Sequence, residues 1–189
     1  AVREARPDAR LRVDANAGWS FEDAVYNLRT MENLDLELIE QPLAADQIEK
    51  MGELQKMTGI PLVADESVRT LADIEKLAEA GVAGVNLKLM KAGGLTPTLR
   101  MLNRARELEM KVMLGCMVET SLGTTAMAHL CGLAEWIDLD APLLIANDPF
   151  EGITYDKNLR IHVPERPGLG VILKSIEELE GEENHHEPH

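Results

Sequence analysis

Six short apolar runs, each closed by a polar residue and followed by a longer amphipathic stretch, constrain this chain more than any other feature. The runs cover residues 11–13, 36–39, 61–64, 84–87, 111–114 and 136–139, short enough for strands. The closing residues are Asp14, Glu40, Asp65, Lys88, Cys116 and Asp138, at steps of 26, 25, 23, 28 and 22 residues. One such step accommodates one strand, one helix and two loops. Helix starts are predicted at Ser20 with Asp23, at Thr70 with Asp73, and at Thr96 with Pro97 in the first helical position. Gly59, Gly81 and Gly132 are predicted as left-handed helix caps. A doubly wound sheet keeps its chemistry at one switch point, whereas a closed (β/α) barrel distributes it over the C-terminal ends of its strands. Polar residues at nearly every strand end therefore predict an α/β chain of the TIM-type (β/α) barrel class, with about six of eight βα units. Two further units are expected before Ala1, in keeping with a first residue that is not Met.

With 33 acidic against 19 basic residues the formal net charge is −14, and scattered Lys and Arg do not form a phosphate-binding surface. Nucleic acid is thereby excluded as a partner and small molecules are favoured. No apolar run approaches the roughly 18 residues needed to span a bilayer, and the opening stretch lacks the apolar centre of a signal peptide. No membrane partner is expected, and the predicted compartment is the cytoplasm. Cys116 and Cys131 are too few for a disulfide framework and read as free thiols. Residues 1–152 are assigned to the barrel. Residues 153–175, broken by Pro164, Pro167, Gly168 and Gly170, read as a hairpin-like or extended segment. Residues 176–189 form an acidic tail predicted to be disordered, whose His185, His186 and His189 are not assigned a metal.

Asp14, Glu40 and Asp65 end three consecutive strands. Neighbouring strands lie about 4.8 Å apart, so carboxylates at matched positions converge, and three uncompensated anions repel unless a cation joins them. Three hard oxygen donors suit Mg²⁺. The bland reading of each acid, a cap on the following helix, loses force when all three occur at matched phase. Lys88 ends the next strand; a lysine whose ammonium is disfavoured by a nearby divalent cation becomes a usable general base. A snorkelling surface lysine is the competing reading, and Lys91 is assigned to the loop. Asp138 and Asp140 flank Leu139, so on a strand both would face one side and receive a cationic group such as an ammonium. Gly115 would let a ligand approach the backbone, and Cys116 could offer its N–H to a substrate oxygen.

Six ordered motifs, VDANAGW, LIEQP, VADES, NLKLMKAGG, GCMVETS and DLDAP, resemble the muconate-lactonising subgroup of the enolase superfamily over residues 11–173. The GCM strand end and the Asp-x-Asp look like the dipeptide epimerases, the L-Ala-D/L-Glu epimerase type. That resemblance implies Asp14, Glu40 and Asp65 as Mg²⁺ ligands, Lys88 as one of two acid/base lysines, and Asn16 and Glu66 as supporting residues. It implies Asp138 and Asp140 as receptors of a dipeptide ammonium, with Cys116 and Met117 beside the substrate. The chemistry implied is removal of the proton alpha to a carboxylate through an enediolate, a step for which this superfamily is the stock example of a Lys or His base with Mg²⁺.

The second lysine of the family comes from a Lys-x-Lys strand, and residues 1–13 contain no lysine. The N-terminal capping domain of the family has no counterpart either, so the chain is expected to be a fragment whose isolated activity is low. An open sheet edge would favour association into homo-oligomers. Alternatives on the same scaffold are a cycloisomerase or o-succinylbenzoate synthase, which would leave the two aspartates unused, and a non-catalytic metal-binding remnant.

Overall fold

A computed structural model describes residues 1–175; the acidic tail at 176–189 lies outside the described residues. The strands are β1 (Leu11–Asp14), β2 (Leu36–Glu40), β3 (Leu62–Ala64), β4 (Gly84–Leu87), β5 (Lys111–Gly115) and β6 (Trp136–Asp138), followed by four two-residue strands, β7 (Phe150–Glu151), β8 (Thr154–Tyr155), β9 (Ile161–His162) and β10 (Ile172–Leu173). The helices are α1 (Val2–Ala5), α2 (Phe21–Met31), α3 (Ile48–Gln55), α4 (Leu71–Ala80), α5 (Leu89–Ala92), α6 (Leu95–Glu107), α7 (Ser121–Ala128) and α8 (Ala141–Leu144). Strands β1 to β6 pair in chain order in one sheet, and the β1–β2, β2–β3 and β3–β4 pairings are parallel. This is the (β/α)-barrel class expected from the repeat, and each predicted strand is found to within a residue at either end.

The chain forms two compact units, residues 1–87 with 100–113, and residues 88–99 with 114 onward. In the first, β3 and β4 are buried throughout and β2 almost so, which is why they read as near-continuous apolar runs. Leu38, Ile39, Leu62, Val63, Val85, Leu54, Ile74 and Leu77 are essentially inaccessible. Burying each such side chain contributes about 1.5–3 kcal/mol.

Capping boxes at Ser20 and Thr70 start α2 and α4 as predicted, with reciprocal bonds to Asp23 and Asp73. Helix α4 stops at Gly81, whose φ of +87° lets its N–H reach the Ala78 carbonyl while Val82 N–H reaches that of Leu77. Gly52 of α3 packs where a Cβ would overlap the Ala80 carbonyl oxygen, so α3 and α4 approach backbone to backbone.

Three expectations need correction. Helix α3 ends at Gln55, four residues before Gly59, because Gln55 itself closes the turn: its side-chain amide donates to the Ile60 carbonyl and its oxygen accepts from Leu62 N at 2.7 Å. Gly132 lies inside the 3-10 turn Cys131–Leu133 and does not cap α7. Helix α6 begins at Leu95, so Pro97 is its third residue; the Gly94 carbonyl accepts from Thr98 both through its N–H and through its hydroxyl.

In the second unit, Leu89, Leu114, Met127, Trp136, Leu139 and Ile153 are buried. In segment 153–175, β8 pairs antiparallel with β9, while β10 pairs antiparallel with β7. Asp156 closes the hairpin by accepting from Asn158 N and Arg160 N at 2.8 and 2.9 Å. Among the described residues no helix is long and apolar enough to cross a membrane.

Candidate active site

Parallel register sets the row of acids in the first unit. Asp14 is the Cα partner of Glu40, and Glu40 is the partner of Val63. Asp65 stands two residues beyond Val63, one past the end of β3, in the bend that follows the strand. Glu40 and Asp65 are buried, Asp14 and Asn16 exposed. Asp14 Oδ1 accepts from Asn16 N at 2.8 Å, closing a turn in which Asn16 and Ala17 take left-handed backbone angles. Glu40 Oε1 accepts from Asn86 Nδ2 at 2.6 Å, across the intervening strand β3. Among the described residues no three His, Cys, Asp or Glu side chains are gathered as a group able to hold a metal. Backbone register pairs Asp14 with Glu40, and Asp65 follows the next strand, with individual oxygens of the first two engaged by Asn16 and Asn86.

The donor types suit a hard divalent cation: three carboxylates at or just past the ends of adjoining strands. Beside them Glu66 Oε2 is buried without a hydrogen-bond partner, an anionic oxygen that a cation would compensate.

Gln41, absent from the sequence-based candidates, joins this row. It is fully buried and sits at φ +31°, a left-handed angle that is strained for a non-glycine residue by about 1–2 kcal/mol. Its Oε1 accepts from Asp65 N at 2.8 Å and Ser67 N at 3.3 Å, and its Nε2 donates to the Leu43 carbonyl at 2.7 Å and Ser67 Oγ at 2.9 Å. Asn86 was likewise missed, although a polar residue inside the buried run GVNL was a readable signal.

Lys88 continues the extended backbone of β4 (φ −126°, ψ 132°), two residues past Asn86, and is half-buried; Lys91 sits in α5. In the second unit, Cys116 Sγ lies 3.5 Å from the Asp138 carbonyl and 3.8 Å from Asp140 Oδ1. Burial pushes the thiol up, and the charges of Asp140 and Asp138 add to it against backbone hydrogen bonds from Ala141 and Asp140. Strand β6 ends at Asp138, and Asp140 turns into the helical region as the residue preceding α8, so strand alternation does not by itself place both aspartates on one face. Asp138, Asp140 and Met117 are exposed. Tyr155, also unforeseen, donates its hydroxyl to the Leu139 carbonyl between the two aspartates. Asp138, Asp140, Leu143, Tyr155 and Val163 line a cleft of about 560 Å³.

Acidic residues closing consecutive parallel strands of βα units define a (β/α)-barrel domain of the kind that carries its chemistry on that rim. More narrowly, the chain belongs to the enolase C-terminal domain-like family, whose model matches residues 1–177. It is 37% identical over 174 residues to an L-Ala-D/L-amino acid epimerase of Maribacter sp., covering 91% of this chain and 51% of that protein. It is 39% identical over 180 residues to the L-Ala-D/L-Glu epimerase of Bacillus subtilis, covering 92% and 48%. The dipeptide epimerase of Cytophaga hutchinsonii, solved with Mg and the dipeptide D-Ala-L-Val, superposes with a TM-score of 0.87 at 34% identity, covering 95% of this chain and 50% of that one. The chain spans about half the length of the curated relatives it matches.

Proposed function

We propose that this chain serves a Mg²⁺-dependent epimerisation of dipeptides. The observation that supports the reading is the register that pairs Asp14 with Glu40, with Asp65 directly after the neighbouring strand β3, in a chain 37–39% identical to the two epimerases named above. Asp14, Glu40 and Asp65 would hold Mg²⁺, with Asn16 and Glu66 supporting them. When bound, the ion supplies positive charge for a substrate carboxylate.

Lys88 is assigned the base. Its neutral amine takes the proton from the carbon alpha to the carboxylate, the C–H electron pair moves into the carboxylate to give an enediolate, and delivery of a proton to the opposite face of that carbon by a second acid gives the epimeric dipeptide. Asp140, with Asp138, is assigned the ammonium of the substrate, and the Cys116 and Met117 strand end its flank. The exposure of both aspartates beside a cleft of dipeptide size supports that role.

The test is Mg²⁺ binding followed by deuterium exchange at the alpha carbon of L-Ala-L-Glu in D₂O. Binding should weaken at least tenfold in Asp14→Asn, and exchange should disappear in Lys88→Ala while Mg²⁺ affinity is kept. A wild-type chain that binds no Mg²⁺, or exchange undiminished in Lys88→Ala, refutes the reading.

A further inference from the structure

We infer that Gln41 is a positioning residue for the metal carboxylates, a clamp that holds all three of their loops in one arrangement; the inference rests on the metal reading above. Glu40 is its covalent neighbour. Its backbone carbonyl accepts from Ala17 N at 2.8 Å, in the loop that follows Asp14, and its N–H donates to the Val63 carbonyl at 2.8 Å, in the strand that leads to Asp65. Its side-chain oxygen then accepts from Asp65 N itself and from Ser67 N, and its NH₂ fixes Leu43 and Ser67. Ser67 passes the connection on by donating to the Ala45 carbonyl at 2.9 Å. One fully buried residue thus touches the segment carrying each carboxylate.

The chemistry required at this position is narrow. The side chain must accept two N–H bonds on one atom and donate two on the other, from a reach that only an amide of glutamine length provides. Glutamate loses both donors, asparagine falls short, and methionine offers neither. The left-handed backbone angle is consistent with a residue held by its surroundings rather than by local preference. Residues that orient metal ligands typically change metal affinity by roughly 10- to 100-fold when replaced.

The experiment is titration of the full chain with Mn²⁺, the free ion read by electron paramagnetic resonance, for wild type, Gln41→Met and Ser67→Ala. Each variant is checked for native near-ultraviolet dichroism. Folded Gln41→Met should bind Mn²⁺ at least tenfold more weakly, and Ser67→Ala, which leaves Gln41 bound to Asp65 N and Leu43, two- to fivefold more weakly. A lowered unfolding midpoint with unchanged Mn²⁺ affinity in both variants means a purely structural role and overturns the inference. If Gln41→Met does not fold, Ser67→Ala decides, together with ¹⁵N-labelled wild type. There the Gln41 side-chain amide and the Asp65 amide should shift with one common Mg²⁺ midpoint, and signals that stay still while others move overturn the inference. Wild-type protein that binds no Mn²⁺ refutes the metal reading itself, whereas wild-type affinity retained in the variants refutes only the clamp.

Discussion

Asn86 reaches over β3 to donate its side-chain amide to Glu40 at 2.6 Å, tying β4 to β2 across a strand that separates them. Both side chains are buried, 2% and 6% exposed, so water is a poor substitute for either. Replacing Asn86 by Leu should lower unfolding stability by about 1–3 kcal/mol, the cost of leaving a buried acceptor short of a donor. Urea denaturation checks it, and a loss below ~0.5 kcal/mol would show that Glu40 is satisfied without this bond.

Gly52→Ala should destabilise the first unit although alanine is the better helix former. The methyl group would overlap the Ala80 carbonyl oxygen, which is backbone and cannot swing away. Helix propensity favours alanine by about 1 kcal/mol, and overpacking costs about 1–3 kcal/mol. The unfolding midpoint in guanidinium should therefore fall, and an unchanged or raised midpoint would mean that α3 can slide on α4.

The capping box at the start of α4 should give part of the chain's acid sensitivity. Burial works against ionisation of Asp73, but hydrogen bonds from the Thr70 hydroxyl and the Arg69 and Thr70 amides, with Lys76 nearby, win and hold its carboxyl below the ordinary value. A lowered native value stabilises the fold above the unfolded pKa of about 4 and is lost as pH falls through the native value. Because Asp73 is only partly buried, the effect is modest and screened by salt. Thr70→Ala should cost about 1 kcal/mol at neutral pH, and Asp73→Asn should flatten the acid limb of a plot of stability against pH.

Both thiols should be sluggish nucleophiles. Burial pushes Cys131 up to about 11 and raises Cys116 as well, so little thiolate exists at neutral pH. Alkylation of the native protein by iodoacetamide should accelerate about tenfold per pH unit between pH 7 and 9, and guanidinium should raise the rate at pH 8 by more than tenfold. Fast labelling of the native protein at pH 7, read by mass spectrometry, would contradict the burial of these sulfurs.

The strands were legible because a parallel strand buried on both faces reads as a nearly continuous apolar run: LVA is wholly apolar, and GVNL is broken by Asn86 alone. The acids at their ends were legible because the βα repeat counts out the same position each time. Helix ends were less so: Gly81 caps α4, but nothing in the letters distinguishes it from Gly59, where Gln55 does the closing from four residues away. Asp140 was read as strand because Asp-Leu-Asp alternates, yet the backbone turns there to begin α8. Gln41 and Tyr155 were invisible for a different reason. Their hydrogen bonds join segments that only folding brings together, and a lone Gln or Tyr carries no period.

Tyr155 holds the hairpin β8–β9 to the Asp138–Asp140 turn through a proton on its oxygen, and burial with the charges of Cys116 and Asp140 pushes that phenol up to about 12. A raised native value means that this tether is secure at every pH below the ordinary tyrosine range near 10 and is surrendered only as alkali passes through about 12. The latch is thus deaf to the acidity changes met by living cells, and phenolate absorbance in strong base would mark the moment it lets go.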